Sequence, residues 1–336
     1  MNGEEPGVAD AATPYADLSP DAVVGALESA GFNPDGSMLA LNSYENRVYQ
    51  IGIEDGPPLV VKFYRPRRWS DAAILEEHSF SLSLAEEEIP VIAPLISSTG
   101  ETLHHYRGYR FGLFPRQGGR WPELDNPDNL TWIGRFLGRI HLSGATRQFA
   151  HRPSMDPNAI CRESTEFLLE NGFIPLEFEN NYRLLCAQLQ EMISEMFDKV
   201  HGCRWIRLHG DCHPGNILWT DLGPHFVDMD DCRMGPAVQD LWMLLSGDHR
   251  DMALQLGYLR DGYEMFRQFD PREVALIEPL RTLRIVHYAA WLARRWNDPA
   301  FPTAFPWFNS TQYWQDHLAI LAQQKSALQH PPLPLY

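Results

Sequence analysis

Short runs of β-branched and aromatic residues, separated by turn sequences, dominate the first third of the chain. These runs predict strands over residues 38–41, 47–53, 59–64, 91–96 and 109–114. Asp-Gly-Pro-Pro at residues 55–58 predicts a tight turn, so the second and third runs should form an antiparallel hairpin. Helical spacing predicts one helix that begins after Ser19 and ends near Gly31, and a second over residues 71–88. We therefore expect a small α+β lobe built on an antiparallel sheet.

Helical periodicity dominates the remainder of the chain. It predicts helices over residues 130–143, 164–170, 181–200, 237–245, 273–296 and 311–328. One strand-like segment, residues 217–229, interrupts them with a turn sequence at its centre. Pro-Arg-Gln-Gly-Gly at residues 115–119 breaks both patterns and is the predicted hinge. The resulting division is a disordered tail over residues 1–16, an N-lobe over 17–115 and a larger, mainly helical C-lobe over 116–336.

The composition is that of a packed globular protein, with 44% apolar and 21% charged residues among 336. The sequence has no apolar run long enough to span a membrane, and the acidic first segment lacks the pattern of a signal peptide. Five cysteines at irregular spacing indicate reduced thiols. We therefore expect a soluble, cytoplasmic protein with no membrane partner, and a monomer is the simplest expectation.

The net charge of the chain restricts the classes of molecule that it can bind. A formal net charge of −16 argues against nucleic-acid binding, because phosphate contacts need a surface of lysine and arginine. The sequence KFYRPRR at residues 62–68 is a basic exception. It predicts a local site for an anion.

The sequence HGDCHPGN at residues 209–216 has the spacing His-x-Asp-x-x-x-x-Asn that kinase-type catalytic loops use. Phosphoryl transfer needs an acceptor oriented in line and compensation of the phosphate charge. A carboxylate at Asp211 can orient an acceptor hydroxyl and take its proton. The amide oxygen of Asn216 can bind a magnesium ion. His209 is expected to brace the loop.

An apolar strand that runs directly into carboxylates, FVDMDD at residues 226–231, follows on the second arm of the same predicted hairpin. This arrangement places Asp228 across from Asn216, where the two can share magnesium. Asp228 is therefore a candidate for both metal binding and catalysis. Asp230 is a candidate ligand behind it or for a second metal, and Asp231 is expected to be a solvated charge.

Lys62 lies within the apolar strand VVKFY, where a buried ammonium is costly unless it is paired. Its natural partners are the phosphates of ATP and a glutamate of the following helix. Glu77 is preferred for this pairing, and Glu76 remains open. The turn LNSYEN lies where a phosphate loop would be; it lacks glycines, but Ser43 and Asn46 can donate hydrogen bonds. These features predict ATP and Mg²⁺ as cofactors, with the nucleotide bound by the N-lobe.

Three features also have simpler or different interpretations. Lys62 could be a surface lysine on an edge strand. Zinc would suit the residue types, though not the spacing, of His209, Cys212, His213 and His225. Core packing, rather than a pocket for an organic cation, is the favoured interpretation of the aromatic set Tyr288, Trp291, Trp296, Trp307 and Trp314.

The segments LHGDCHPGNILW, FVDMDD and GPAVQDLWMLL together resemble the aminoglycoside phosphotransferase and choline kinase group. That group shares a two-lobed, protein-kinase-like fold. The segments LNSYENRVYQ, VVKFYRP, ILEEH and AWLARRWNDPAFP are similar to its bacterial serine/threonine protein kinases, and the resemblance covers residues 38–335. It implies that the C-lobe carries the catalytic loop and the metal site, and it implies a role in stress response.

The resemblance also implies individual roles at matching positions. Asp211 would be the proton acceptor, while Asn216 and Asp228 would bind magnesium. Contacts to ATP would come from Ser43 and Lys62. A further residue, Asp240 in AVQDLW, would support the catalytic loop through hydrogen bonds.

The sequence differs from eukaryotic protein kinases at positions that those enzymes use for regulation. Gly210 stands where those enzymes have the arginine that binds a phosphorylated activation loop, and Met229 and Asp230 replace their Phe-Gly. We expect activity that does not depend on phosphorylation of an activation loop.

Three functions are compatible with the sequence. The leading hypothesis is a serine/threonine protein kinase that transfers the γ-phosphoryl group of ATP to unidentified protein substrates. The alternative is a kinase for a small molecule such as an amino alcohol, a sugar or an aminoglycoside. A nucleotide-binding regulator without activity is the third, and the intact set of Lys62, Asp211, Asn216 and Asp228 argues against it.

Overall fold

The computed structural model describes residues 14–335, so most of the predicted tail, residues 1–13, lies outside the described residues. Residues 14–16, which the sequence assigns to that tail, instead form a turn against the N-terminal sheet. Tyr15 stacks on Tyr109 and lies under the guanidinium of Arg47, at 4.4 Å from its ring centre. Residues 14–16 are therefore structured, which differs from the predicted boundary of the tail.

The N-terminal part contains two helices and five strands. Their bounds are α1 (Pro20–Ser29), β1 (Pro34–Leu41), β2 (Arg47–Ile53), β3 (Gly56–Phe63), α2 (Asp71–Glu86), β4 (His104–Tyr106) and β5 (Tyr109–Pro115). The strands form one antiparallel sheet in the order β1-β2-β3-β5-β4. Ser19 caps α1 as predicted, since its hydroxyl accepts the N–H of Ala22. The predicted hairpin is also present, with Ile53 opposite Gly56.

One face of the sheet is covered by α1. Apolar side chains of the helix, including Val23 and Leu27, pack against Val61, Phe63 and Phe111 of the central strands. These residues alternate along their strands, which is the pattern of a sheet with one buried face. The neighbouring strand position Lys62 consequently points to the opposite face, towards α2.

The predicted strand over residues 91–96 is absent from the described chain. Only Val91 forms a bridge, parallel to Phe226 of the C-terminal part. Pro90 and Pro94 have no N–H to donate, so a longer ladder cannot form there. The segment instead connects the two parts of the molecule.

The C-terminal part is mainly helical. Its helices are α3 (Pro127–Gly144), α4 (Pro157–Glu170), α5 (Leu176–Lys199), α6 (Gln239–Trp242), α7 (His249–Tyr263), α8 (Ile277–Arg294), α9 (Ala300–Ala304) and α10 (Thr311–Ala327). Two small antiparallel pairs lie among them, formed by β6 (Ile206–Leu208) with β9 (Arg233–Gly235) and by β7 (Ile217–Thr220) with β8 (Gly223–Phe226). Short 3-10 turns occupy Pro214–Asn216, Met229–Asp231 and Pro271–Leu276.

Two hydrophobic cores hold these helices together. One surrounds the two strand pairs and includes Leu137, Ile217 and Phe226. The other joins α4, α5, α8 and α10, and Trp314 is buried within it. The arrangement is the two-lobed, protein-kinase-like α+β fold that the sequence predicts. None of the helices within residues 14–335 has the length and apolarity needed to cross a membrane.

Candidate active site

The loop between β6 and the 3-10 turn at Pro214–Asn216 is held by a buried carboxylate. Asp240 accepts the N–H groups of His209 and Gly210, each at 2.8 Å, and lies 2.9 Å from Nε2 of His141. Burial acts to raise the pKa of Asp240, but hydrogen bonding to His141 and the surrounding positive charge hold it below its ordinary value. The predicted supporting role of Asp240 is confirmed.

His209 braces the same loop from the other side. The N–H of Asp211 donates to its Nδ1 at 3.4 Å, which leaves the ring proton on Nε2 to donate to the carbonyl of Val227 at 2.9 Å. The ring is fully buried. The prediction of a bracing histidine is confirmed, and the ring connects the catalytic loop directly to the strand end that precedes Asp228.

Gly210 occupies a position that no side chain could share. Its φ is +87°, and a Cβ built there would lie 2.1 Å from the carbonyl oxygen of Asp231. Both the left-handed backbone and this close approach require glycine. The packing of the loop therefore excludes an arginine at position 210.

The structure brings Asp211, Asn216 and Asp228 together at the mouth of this loop. The amide nitrogen of Asn216 donates to the carbonyl of Asp211 at 2.9 Å, so its amide oxygen is turned away from that bond. Val227 donates its N–H to the carbonyl of Asn216 at 3.0 Å, which places the next residue, Asp228, across the hairpin. The backbone of Asp228 is left-handed, with φ of +61°, and its side chain is 48% exposed.

Lys62 reaches this group from the N-terminal sheet. Its ammonium lies 2.9 Å from Oδ1 of Asp228, 3.4 Å from Glu77 and 3.4 Å from Asp230. Burial disfavours the charged ammonium, but the three carboxylates together raise the pKa of Lys62 well above its ordinary value. Only 6% of the residue is exposed, so the alternative of a surface lysine is wrong.

The two glutamates of α2 have different partners. Glu77 is buried and contacts Lys62, whereas Glu76 turns away from the lysine. The carboxylate of Glu76 accepts the successive backbone N–H groups of Ala150, His151 and Arg152, at 2.6, 2.7 and 2.8 Å. In this geometry Glu77 is the glutamate placed to hold the lysine.

Arg152 is a buried residue that sequence reasoning missed. It donates to Oε2 of Glu77 and to the backbone carbonyl of Asp230, each at 2.6 Å, and to the carbonyl of Ala73 at 2.8 Å. Its guanidinium stacks on Trp69 at 4.4 Å from the ring centre. Arg152 thereby fixes α2 against the segment that follows Asp228.

The turn between β1 and β2 is pinned to this cluster through Asn46. The amide nitrogen of Asn46 donates to Asp230 at 3.1 Å, and its oxygen accepts the N–H of Arg65 at 3.0 Å. Asn46 is buried, so both polar atoms of its side chain are directed into the protein. Ser43 lies earlier in the same turn and is half-buried.

Asp230 and Asp231 are both bound by arginines. Asp230 is buried against Arg68, Lys62 and Asn46. Burial acts to raise the pKa of Asp230, but Arg68 and Lys62 hold it below its ordinary value. Asp231 pairs with Arg68 at 2.8 Å and with Arg233 at 3.0 Å. Asp231, expected to be a solvated charge, is 31% exposed and is in addition held by two ion pairs.

A second residue that sequence reasoning missed lies on α8. Arg284 donates to Oδ1 of Asp211 at 2.5 Å, while Nε2 of His213 lies 3.5 Å from the other carboxylate oxygen. Later on the same helix, the indole N–H of Trp291 donates to Glu45, in the turn between β1 and β2, at 2.6 Å. Helix α8 therefore extends from the catalytic loop to the N-terminal turn.

Two alternative interpretations of the sequence do not fit the structure. His209 is committed to the catalytic loop, and the zinc set proposed with it does not converge within residues 14–335; the group that does converge is Cys203, Asp270 and Glu273. The C-terminal aromatic residues pack mainly on one another: Trp296 contacts Phe308, and Trp314 is buried. Core packing is confirmed for Trp314, whereas Tyr288 and Trp307 are exposed.

A kinase-type phosphotransferase is the class of protein that this fold and loop define. The chain belongs to the phosphotransferase enzyme family, APH, whose model matches residues 38–277. The matched range includes strands β2 to β5 of the N-terminal sheet, part of β1, and the catalytic loop.

Among curated proteins, the chain is similar to stress response kinase A of Escherichia coli K12. The two are 46% identical over 318 residues, which cover 95% of this chain and 96% of that protein. It is also 44% identical over 326 residues to the serine/threonine protein kinase RdoA of Salmonella typhimurium, covering 97% of this chain and 98% of the relative.

Solved structures share the fold at much lower identity. An amicoumacin kinase in complex with AMP-PNP and Ca²⁺ aligns with a TM-score of 0.68 and 19% identity, over 92% of this chain and 94% of that one. A microcompartment-associated aminopropanol kinase aligns with a TM-score of 0.68 and 16% identity, over 91% and 96%. At such identities the likeness shows the fold alone.

Proposed function

We propose that this protein is an ATP- and Mg²⁺-dependent serine/threonine protein kinase acting in the cytoplasm during stress. The observation that carries the proposal is the convergence of Asp211, Asn216, Asp228 and Lys62 from two lobes on one site. Curated relatives with 44–46% identity are named as stress response or serine/threonine kinases, which supports the acceptor class.

The residues present suit magnesium and a nucleotide. Asn216 commits its amide nitrogen to Asp211 and keeps its oxygen available, and Asp228 commits one carboxylate oxygen to Lys62 and is half exposed. Oxygen ligands of this kind are what Mg²⁺ prefers. Bound Mg-ATP would supply the transferable phosphoryl group and charge compensation for its phosphates.

The remaining steps belong to the residues of the chain. Lys62, held by Glu77, would bind the phosphates, and Ser43 with the N–H groups of its turn would contact them as well. Asp211 would orient the acceptor hydroxyl and take its proton as the new oxygen–phosphorus bond forms and ADP leaves. We place the hinge between the lobes at residues 115–119, with the N-lobe before it and the C-lobe after it.

A small-molecule kinase is the second candidate. Fold neighbours that carry small-molecule kinase names support it, because the same catalytic loop can serve an alcohol of any size. A regulator without catalysis would bind ATP and transfer nothing.

The test supplies purified protein with Mg²⁺ and γ-labelled ATP, together with a mixed protein extract or a panel of small alcohols. Label should appear on protein serine or threonine, and Asp211→Asn should slow the transfer by roughly 10²- to 10⁴-fold. Asp316→Asn, a change at an exposed carboxylate on α10, is the matched control and should keep full activity. Transfer to small alcohols alone would establish the second candidate, and ATP binding without transfer would refute both kinase proposals.

A further inference from the structure

The carboxylate proposed as the proton acceptor already has a cationic partner. Nη1 of Arg284 lies 2.5 Å from Oδ1 of Asp211, and within residues 14–335 this carboxylate is its one hydrogen-bonded partner. The arginine is 46% exposed, whereas the aspartate is 25% exposed. Arg284 therefore stands on the solvent side of the catalytic carboxylate, where an incoming acceptor would meet it first.

His287 lies one turn after Arg284 on α8, within electrostatic reach of Arg233 and Arg294. Desolvation and these arginines lower the pKa of His287 to about 4, so its ring is neutral at pH 7 and the arginines supply the positive charge here. Asp231 also lies within reach of His287, but it is already bound by two arginines. In a chain with a net charge of −16, the exposed guanidinium of Arg284 beside the catalytic loop is a local exception.

Arg281, one turn before Arg284, does not share this position. Its side chain turns towards α6, where it pairs with Glu278 of its own helix at 3.4 Å and lies 5.2 Å from the ring centre of Trp242. The two arginines share a helix and a residue type, but they differ in what they contact. That difference makes Arg281 a matched control.

We propose that Arg284 determines acceptor specificity and favours hydroxyls that lie next to an anionic group, as in an acidic peptide. This inference rests on the proposed function, in which Asp211 takes the proton of the acceptor. The guanidinium occupies Oδ1 of Asp211 and competes with the hydroxyl for that carboxylate. An anionic neighbour of the hydroxyl would pair with Arg284 and release Oδ1 as the acceptor binds.

Because Arg284 must exchange Asp211 for a group of the acceptor, the charge of the acceptor should determine how well it binds. With an acidic acceptor, one charge-assisted contact of Arg284 replaces another, so little is lost. A neutral acceptor must displace the guanidinium without giving it a new partner. A cationic acceptor, such as an amino alcohol protonated at neutral pH, would be repelled by the guanidinium of Arg284. The geometry thus favours acidic protein segments over the cationic acceptors of the second candidate function.

The test compares three serine peptides that differ only in the residues flanking the serine, which are aspartate, alanine or lysine. A fourth peptide carries phosphoserine in place of the aspartates, to separate carboxylate from phosphate recognition. The quantity measured is the ratio of kcat/KM values between peptides for each variant, because partial unfolding lowers all values but cancels in the ratio. The wild-type enzyme should prefer aspartate over alanine by roughly 5-fold, which corresponds to the upper value of about 1 kcal/mol for a solvent-exposed charge pair.

Substitutions at Arg284 should change the ratio, and substitution of Arg281 should not. Arg284→Ala and Arg284→Gln should bring the aspartate-to-alanine ratio close to one, while Arg284→Lys keeps the charge and should restore part of it. Arg281→Ala should keep the wild-type ratio. The inference about Arg284 would be overturned if the wild-type enzyme used all peptides equally, or if Arg284→Ala and Arg284→Gln both kept the wild-type ratio. Neither result would contradict the proposed protein kinase function. If no peptide or protein is phosphorylated, the proposed protein kinase function fails, and this inference fails with it.

Discussion

Replacing Asp240 with asparagine tests whether the catalytic loop depends on a buried charge. One oxygen of Asp240 accepts the N–H of His209 and contacts His141, while the other accepts the N–H of Gly210. The asparagine amide has one oxygen and one NH₂ group, so either orientation of Asp240→Asn turns a donor towards a buried backbone N–H. An unsatisfied buried donor costs about 1–3 kcal/mol, and loss of the charged acceptor weakens the remaining bonds. We expect the free energy of unfolding to fall by about 2–4 kcal/mol.

The loss should also reach catalysis, because Asp211 follows directly after the two backbone groups that Asp240 holds. A displacement of about 1 Å can cost roughly 100-fold in rate, so kcat should fall by about 10- to 100-fold. The KM for ATP should change little, since Lys62 does not contact this carboxylate. Urea denaturation and steady-state kinetics measure the two effects, with Asp316→Asn as the exposed control. A loss of stability below about 1 kcal/mol with unchanged kcat would refute the reasoning.

Two further predictions concern buried charges elsewhere. Burial raises the pKa of Glu273 from 4.5 to about 7. Between pH 4.5 and 7 the native protein keeps a proton on Glu273 that the unfolded chain has released. The free energy of unfolding therefore falls as the pH rises through this range. Glu273→Gln should remove that fall, which amounts to about 2–3 kcal/mol between pH 5 and 8, and urea denaturation over this pH range measures it. Arg152→Ala should lower the free energy of unfolding by about 3–5 kcal/mol, because it removes the closest partner of the buried Glu77. Denaturation at pH 7 measures this loss.

Exposed residues of the same types provide the controls. Glu123→Gln and Arg162→Ala alter groups on the surface, and each should change the free energy of unfolding by less than about 0.5 kcal/mol. An Arg152→Lys variant should recover little, because lysine cannot reproduce the divergent contacts of the guanidinium. The explanation for Glu273 is contradicted if Glu273→Gln shows the same pH dependence of stability as the wild-type protein. The explanation for Arg152 is contradicted if Arg152→Ala lowers the free energy of unfolding no more than Arg162→Ala does.

The elements that follow from local sequence were predictable, and those that depend on close packing were not. The first hairpin and the second one around residues 221–224 carry their own turn sequences, and both are present. Helix α7 was missed because glycine weakens the helical pattern. Its Gly262 approaches α3 so closely that a Cβ would lie 2.0 Å from the carbonyl oxygen of Thr131. Glycine there is required by helix packing, which a single sequence does not reveal.

The same distinction applies to the site. Asp211, Asn216 and Asp228 were predictable because their spacing along one loop and hairpin carries the chemistry. Arg152 and Arg284 reach their carboxylate partners across 75 and 73 residues, from segments without any recognisable spacing. Their roles come from tertiary placement, so no local signal could have found them.

The position of Arg152 determines whether the two lobes can be separated. A fragment ending at Pro115 would keep Lys62 and Glu77 but lose Arg152 and Asp228, which supply their closest opposite charges. The remaining fragment would have to bury a guanidinium without its carboxylate. The nucleotide-binding half is therefore not a transferable module, although it is continuous in sequence. Chimeras that exchange this half between relatives should fold only when the residues around Arg152 and Asp228 are exchanged with it.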